Sequence, residues 1–210
     1  MLERLTDTAR EGGRLPVIAL TRRWDLKAKL EAFERGVDDI LTVPFSPEEF
    51  VARVLAIMLD EYDYQFELGK AKLLRDGSDV LIISTGLMTM RALEAVDWLK
   101  SNKIDAAVLH VSTIKPLDEQ TILKEAARSG RMVVVAENHS IIGGLGEAVA
   151  GVLLRAGVTP VFRQVALPDE YLDAGALPTL HERYGISAEA MARSISTWLG
   201  GRLVPKRAVA

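Results

Sequence analysis

Six residues of this sequence have the types and positions expected of an anion-binding site. A carboxylate, an imidazole and an ammonium group follow apolar runs of strand length, and a glycine-rich turn precedes a predicted helix. Exposed backbone N–H groups and the helix dipole favour negative charge at such a helix start. The candidates are Lys115, Glu137, His139, Gly143, Gly144 and Gly146.

The same residues also allow simpler interpretations. The glycine turn lacks the lysine of a P-loop and a full dinucleotide-binding pattern. Its glycines can instead let the helix pack closely on the sheet, which is the interpretation that we favour. Pro116 and Asp118 follow Lys115, and a proline in the first helical turn with an acidic residue close behind more simply predicts a helix start. His110 lies in an apolar run and is expected in a strand, whereas His181 is expected in an exposed loop.

The composition excludes several classes of function. The chain has no cysteine, which rules out disulfides, thiolate metal sites, iron–sulfur clusters and thiol catalysis. Its three histidines are too scattered for a local zinc motif, so we expect no metal site. The net charge of −3 gives no general attraction to nucleic acids or anionic lipids. With no signal-peptide pattern and no apolar run of membrane-spanning length, we expect a cytoplasmic protein that binds neither nucleic acid nor membrane.

The order of apolar and amphipathic segments predicts the fold class. Short β-branched runs alternate with amphipathic stretches, which is typical of βα units around a mainly parallel sheet with flanking helices. A polar and aromatic stretch at 61–66 interrupts this alternation and indicates a boundary between two units. We therefore expect an α/β protein with a partial unit at 1–60, a complete domain at 61–201 and a flexible tail at 202–210.

Several separated motifs between residues 66 and 199 resemble the C-terminal domain of transketolase. They occur in the family's order and are Asp79-Val80, Thr85-Gly86, Thr113-Ile114-Lys115-Pro116-Leu117-Asp118, Glu137-Asn138-His139-Ser140, Gly143-Gly144-Leu145-Gly146 and Pro168-Asp169. The resemblance extends to the C-terminal section of split transketolases, to deoxyxylulose-phosphate synthase and to the dehydrogenase E1 β chain. It implies that the edge of the sheet carrying Glu137 and His139 faces a neighbouring domain or subunit, as an interface first and an effector site second.

The same resemblance bears on cofactors. Enzymes that use thiamine diphosphate hold it and Mg²⁺ with a Gly-Asp-Gly motif and activate it with a glutamate, in the two domains that precede this one. The sequence contains no Gly-Asp-Gly. Because the protein's task is to position the cofactor, the resemblance implies no catalytic or cofactor-binding residue in this chain alone. Thiamine diphosphate and Mg²⁺ are then expected only in an assembly with a partner chain.

Residues 14–59 resemble the second half of a response-regulator receiver domain, a partial flavodoxin-like βαβα segment. Thr21 stands at the position of the switch hydroxyl, Ile40 replaces the switch aromatic residue, and Val43 replaces the lysine that pairs the phosphoryl group. The resemblance implies a cis peptide before Pro44. The phosphate-accepting aspartate and the Mg²⁺-binding acidic pair belong to the missing half, so no phosphotransfer is expected.

Half a receiver leaves a small sheet with an uncovered apolar face, which predicts pairing with a second copy as a homodimer or docking on the downstream domain. Together, these features predict a non-catalytic assembly or regulatory domain of a thiamine-diphosphate enzyme. The first alternative is the C-terminal subunit of a split transketolase that transfers ketol groups only with a partner chain. The second is a sensor of small anions at the glycine turn.

Overall fold

The computed structural model describes residues 62–200 other than 129, and from the first 60 residues it describes 9–10, 13–14, 17–21, 26–46, 50, 53–54 and 57. The chain divides into two compact units, Met1–Gln65 and Phe66–Ala210. The tail expected at 202–210 lies outside the described residues.

The first unit contains a parallel βαβ arrangement. Its elements are β1 (Ala9–Arg10), β2 (Gly13–Arg14), β3 (Ile18–Thr21), α1 (Leu26–Glu34) and β4 (Asp39–Thr42). Strands β1 and β2 pair antiparallel, whereas β3 and β4 pair parallel. Gly36 follows α1 with a φ of 89° and ends it, as predicted. Residues 50, 53, 54 and 57 are helical, and the Val43–Pro44 peptide is cis, as the sequence implied.

The second unit is a five-stranded α/β domain. Its elements are β5 (Ala71–Arg75), β6 (Val80–Ser84), α2 (Leu87–Ser101), β7 (Ala106–Val111), α3 (Glu119–Ala126), β8 (Met132–Ser140), α4 (Leu145–Arg155), β9 (Phe162–Leu167), α5 (Leu177–Arg183) and α6 (Ala188–Trp198). The strand order is β5-β7-β6-β8-β9. Only β5 runs antiparallel to its neighbour, so the predicted α/β fold with a mainly parallel sheet and flanking helices is confirmed.

Helices cover both faces of the central strands, which explains why these strands are apolar throughout. Alternate strand residues form one buried cluster with α3 and α4. Its members include Leu81, Leu109, Val133, Ile122, Leu145 and Val149. The intervening residues, such as Ile82 and Val108, are equally buried and point to the opposite face. On that face α2 packs on the strands and α6 packs on α2.

Helices α6 and α3 each begin after a residue whose side chain caps the helix. Ser187 caps α6 by accepting a hydrogen bond from the Ala190 backbone N–H, and Ile186 and Met191 are buried on either side of it. This is the hydrophobic staple that the sequence predicts. The helix start after Lys115 differs from the prediction, because α3 begins at Glu119 and Asp118 is its cap. Pro116 therefore precedes the helix instead of lying in its first turn, and its peptide bond with Lys115 is cis.

Candidate functional site

The carboxyl ends of the three central strands meet at one edge of the sheet. Ser84, the last residue of β6, lies in register with His110 of β7 and with Ala136 of β8. The residues that follow these positions, 85–86, 112–115 and 137–144, form what we call the strand-end edge. Open α/β sheets bind their ligands at this edge, and all six candidate residues except Gly146, which lies in α4, belong to it.

The N-terminus of α4 binds an anion, and that anion is the carboxylate of Glu137. The Leu145 N–H donates to Glu137 Oε2 at 2.7 Å, and the Gly146 N–H donates to Glu137 Oε1 at 2.8 Å. The Glu137 residue is only 1% exposed. These N–H groups have no partner within the helix, and a negative charge at this end also interacts favourably with the helix dipole. The carboxylate therefore satisfies the donors that an external anion would need.

Two of the three glycines of the turn admit close packing at the start of α4, Gly144 against this carboxylate and Gly146 against Gln164. A Cβ atom at Gly144 would lie 2.0 Å from Glu137 Oε2, and a Cβ at Gly146 would lie 1.8 Å from Gln164 Nε2. Gly143 has a φ of 80°, and its N–H donates to Glu147 Oε2 at 2.7 Å. The geometry thus favours the interpretation that the glycines admit close packing, since an external anion would first have to displace Glu137.

The remaining two candidates are exposed and stand apart from the carboxylate. His139 Nδ1 lies 3.0 Å from the Ser140 carbonyl oxygen. Lys115 follows β7, which is separated from β8 by β6. In the part of the chain that the structure describes, no hydrogen bond or ion pair joins Lys115 to the other five candidates. The structure therefore brings together Glu137, Gly144 and Gly146. It leaves Gly143, His139 and Lys115 exposed.

The loop that carries Lys115 is tied to the first strand of the domain. Asp118 accepts hydrogen bonds from the Ala71 N–H at 3.0 Å and from the Thr121 N–H at 3.1 Å. Burial would raise the pKa of Asp118, but these donors and the charge of Lys70 outweigh it and hold that pKa below its usual value. Thr113 accepts from the Gly69 N–H at 3.0 Å. The carboxylate of Asp118 thus fixes the loop after β7 to the edge strand β5.

His110 belongs to a buried hydrogen-bond network beneath the strand-end edge. Ser84 Oγ donates to Thr89 Oγ1 at 3.1 Å, and Thr89 Oγ1 lies 2.8 Å from His110 Nδ1. With its proton directed at the ring, Thr89 fits a neutral imidazole that accepts at Nδ1. Burial lowers the pKa of His110 to about 4. His110 therefore lies in a strand, as the sequence predicts. Its Nδ1 atom is engaged by Thr89.

His110 should make the stability of the domain depend on pH. In the unfolded chain the imidazole takes up a proton near pH 6.5, whereas in the folded state it does so only near pH 4. Its contribution is therefore intact above pH 6.5 and decreases as the pH falls from 6.5 towards 4, by about 1 kcal/mol at pH 5.5. Urea unfolding at pH 7.5 and 5.5 should show this loss in the wild type and a smaller one in His110→Gln. A ring that titrates near 6.5 by NMR would contradict the assignment.

The predicted location of His181 is wrong. The residue lies on α5 and is 6% exposed, not in an exposed loop. Burial and the charge of Arg91 both lower its pKa. Its Nδ1 atom has no hydrogen-bond partner among the described residues. The only sequence signal for this short helix is Pro178 at its start.

Three isoleucines on the strand-end edge are exposed. The sequence pattern did not identify them as candidate site residues. Ile114 is 43% exposed, Ile141 is 40% and Ile142 is 53%. They lie next to polar residues in the same loops, Ile114 between Thr113 and Lys115, and Ile141 and Ile142 directly after Ser140. Exposed apolar side chains beside polar groups are typical of surfaces that contact another protein.

None of the helices in the described residues combines the length and the apolar character that a membrane span requires.

The three positions that the sequence comparison singled out in the first unit lie in or beside the parallel pair of β3 and β4. Thr21 is the last residue of β3, and its carbonyl oxygen accepts from the Val43 N–H at 2.7 Å. Ile40 is 8% exposed and belongs to the small core of this unit. Thr21 and Val43 are thus neighbours at the ends of β3 and β4.

Comparison with known proteins identifies the class of the second unit. Residues 69–191 match the family model "Transketolase, C-terminal domain". The chain belongs to the transketolase C-terminal domain family.

Individual relatives and a solved structure agree with this assignment. The transketolase family protein y4mN of Sinorhizobium fredii is 67% identical over 144 residues, which are 68% of this chain and 42% of that protein. The 6-deoxy-6-sulfo-D-fructose transketolase subunit SqwH of Clostridium sp. is 42% identical over 139 residues, which are 66% of this chain and 42% of that protein. The chain spans about two fifths of the length of these two relatives.

A structure described as a split gene transketolase, inactive β4 tetramer, superimposes with a TM-score of 0.59 and 28% identity. The match covers 88% of this chain and 58% of that one.

Proposed function

We propose that this chain is a non-catalytic assembly domain of a transketolase-type enzyme whose cofactor-binding domains belong to a partner chain, and that it acts in the cytoplasm. The strand-end edge supports this proposal best. Its helix N-terminus is filled by Glu137, so the edge offers no open anion site there. Its exposed surface is instead formed by isoleucines and by the polar groups of His139 and Lys115. Such a surface suits binding to a protein better than catalysis.

A partner chain is also supported by the relatives. SqwH is named a transketolase subunit, and the superimposed structure is named a split gene transketolase. Proteins of this kind favour the alternative in which the chain contributes to ketol transfer once the partner is bound. This alternative and the assembly role differ in one observable, which is whether the complex transfers ketol groups.

We propose that this chain by itself holds neither thiamine diphosphate nor Mg²⁺. Within the described residues no group of three or more histidine or carboxylate side chains could hold a metal ion. The sequence also lacks the Gly-Asp-Gly motif. We therefore assign the cofactor and its metal to the partner chain.

The first unit supports a homodimer. Its β3 and β4 form a two-stranded parallel sheet, and sheets of two strands are marginally stable alone. Leu20, Leu30 and Phe33 expose between 47% and 59% of their surface. We propose that this receiver-like half fold pairs with the same unit of a second copy, which would cover these side chains.

Reconstitution tests both parts of the proposal. In size-exclusion chromatography with light scattering, the full chain should elute with the mass of a dimer. By itself it should show no ketol transfer. Addition of a chain with Gly-Asp-Gly and the pyrimidine-binding glutamate, together with thiamine diphosphate and Mg²⁺, should give a complex. Ketol transfer by the complex supports the split-enzyme alternative, and a complex without transfer supports the assembly role. Failure to bind any such chain contradicts both.

Ile142→Asp should weaken this complex at least about tenfold, because it places a charge in an apolar contact. Leu154→Asp is the matched control, since Leu154 is 77% exposed near the C-terminal end of α4, away from the strand-end edge. Equal effects of the two variants would show that the edge is not the interface.

The small-anion sensor has less support. The N–H groups that it requires, at Leu145 and Gly146, already donate to Glu137.

A further inference from the structure

A basic cavity lies at the opposite end of the sheet from the strand-end edge. It has a volume of about 340 Å³ and is lined by the end of α3, by Gly130 and Arg131, and by residues 158–160. These segments immediately precede the first residues of β8 and β9. The cavity is therefore separate from the site described above, and the proposed function does not use it.

Arg131 lines this cavity and has hydrogen-bonding capacity that the described residues leave unused. Its side chain is 1% exposed, and its contact with Glu125, from Nη1 to Oε2, is long at 3.4 Å. In the described part of the chain, Arg131 Nε and Nη2 have no hydrogen-bond partner. A buried guanidinium with unpaired N–H groups is costly. Burial and the nearby charge of Arg128 lower the pKa of Arg131.

The charges around the cavity leave a surplus of positive charge. Arg128 pairs with Asp76 at 2.6 Å and with Glu125 at 3.2 Å. Lys124 lies 3.9 Å from Glu125. With Arg131 included, two carboxylates serve three cations, so one negative charge would balance the site. An oxyanion with two acceptor oxygens would also match the forked donors of a guanidinium.

A second, apolar cavity adjoins the basic one. It has a volume of about 320 Å³, shares residues 158–160 with the basic cavity, and is lined further by Leu153 and Phe162. A ligand that fills both cavities would combine an anionic group with an apolar body of a few carbon atoms.

We propose that these adjoining cavities bind a small organic oxyanion, with its phosphate or carboxylate group on Arg131 and Arg128 and its apolar part over Leu153 and Phe162. The Nε and Nη2 atoms of Arg131 are covered in the absence of ligand, so the surrounding side chains shift when the oxyanion enters. Binding at this end leaves the strand-end edge open to a partner chain.

Thermal unfolding of the full chain tests this site with phenyl phosphate and benzoate as probes, each compared with sodium chloride at equal ionic strength. One of the two should raise Tm by about 2 °C at saturation, and which one it is distinguishes phosphate from carboxylate chemistry. Arg128→Gln should abolish the rise. Arg155→Gln is the matched control, because it also removes an exposed arginine that pairs with a carboxylate but does not line the cavity.

NMR of the arginine side chains gives a second readout. The Arg131 Nε–H signal should shift on addition of the effective probe, and Arg131→Lys should weaken binding at least about fivefold because lysine keeps the charge but loses the fork. Neither probe exceeding chloride would overturn the proposal. A rise in Tm that Arg128→Gln leaves unchanged would also overturn it, because the effect would then be a general one of the salt.

Discussion

Glu137→Ala should lower the free energy of unfolding by about 4 kcal/mol, the largest effect that we expect from one side chain. The substitution leaves the N–H groups of Leu145 and Gly146 buried without an acceptor. Each unsatisfied buried donor costs about 1–3 kcal/mol, and loss of a negative charge near the helix N-terminus adds about 0.3–1 kcal/mol. Urea unfolding followed by circular dichroism measures the change.

Two further variants separate the buried carboxylate from carboxylates in general. Glu137→Gln retains the shape and one acceptor oxygen, so it should cost about half as much. Glu147→Gln removes an exposed carboxylate that, among the described residues, accepts from the Gly143 N–H, and should cost less than about 1 kcal/mol. Similar losses for Glu137→Ala and Glu147→Gln would show that the buried contacts are not the cause.

Chemical rescue provides a sharper test of the same contacts. The alanine variant should leave a vacant anion site at the start of α4, with two N–H groups directed into it. Acetate should therefore raise the stability of Glu137→Ala more than that of the wild type, with chloride at equal ionic strength as the reference. Equal responses of both proteins would contradict a helix N-terminus that selects a carboxylate.

The fold was predictable where the pattern is local and strong. The strands β6, β7 and β8 are continuous apolar runs rich in β-branched residues, which is the signature of a buried parallel sheet. The cap of α6 at Ser187 was equally clear. The edge strand β5 was not predicted, since Ala71–Arg75 contains no β-branched residue, and its pairing with β7 depends on contacts remote in sequence. The short helix α5 was missed for the same reason, and His181 was placed on the surface.

The chemistry of the strand-end edge was predictable only in part. The sequence shows that a glycine turn starts a helix, and it shows a carboxylate eight residues before Leu145. Whether that carboxylate points into the helix or away from it depends on the bend of the chain after β8, which no local pattern reveals. The burial of Arg131 could not be predicted from the sequence either, because an arginine before a strand is ordinarily exposed. Its burial, with the residue 4% exposed, depends on tertiary contacts that no local pattern reveals.

Gly77→Ala should destabilise the domain by about 3 kcal/mol, because the new methyl group has no space. A Cβ atom at Gly77 would lie 2.4 Å from the Ala106 carbonyl carbon and 2.6 Å from the Ala107 nitrogen. Both are backbone atoms of β7, which is hydrogen-bonded to β5 on one side and to β6 on the other. A flexible side chain could move aside, but a strand held on both sides cannot do so without losing pairing. Overpacking of this kind costs about 1–3 kcal/mol and sometimes more.

Gly151→Ala is the control for this substitution, because it adds the same methyl group within α4. The nearest atom there is Arg155 Nη1 at 3.2 Å, the free end of a long side chain. Alanine favours the helix over glycine by about 0.5–1 kcal/mol, so this variant should be slightly stabilised. Thermal and urea unfolding of both variants provide the comparison. A Gly77→Ala protein within 1 kcal/mol of the wild type would mean that β7 can shift. In that case the turn with Asp76, which pairs with Arg128 at the basic cavity, would be less rigidly placed than the structure indicates.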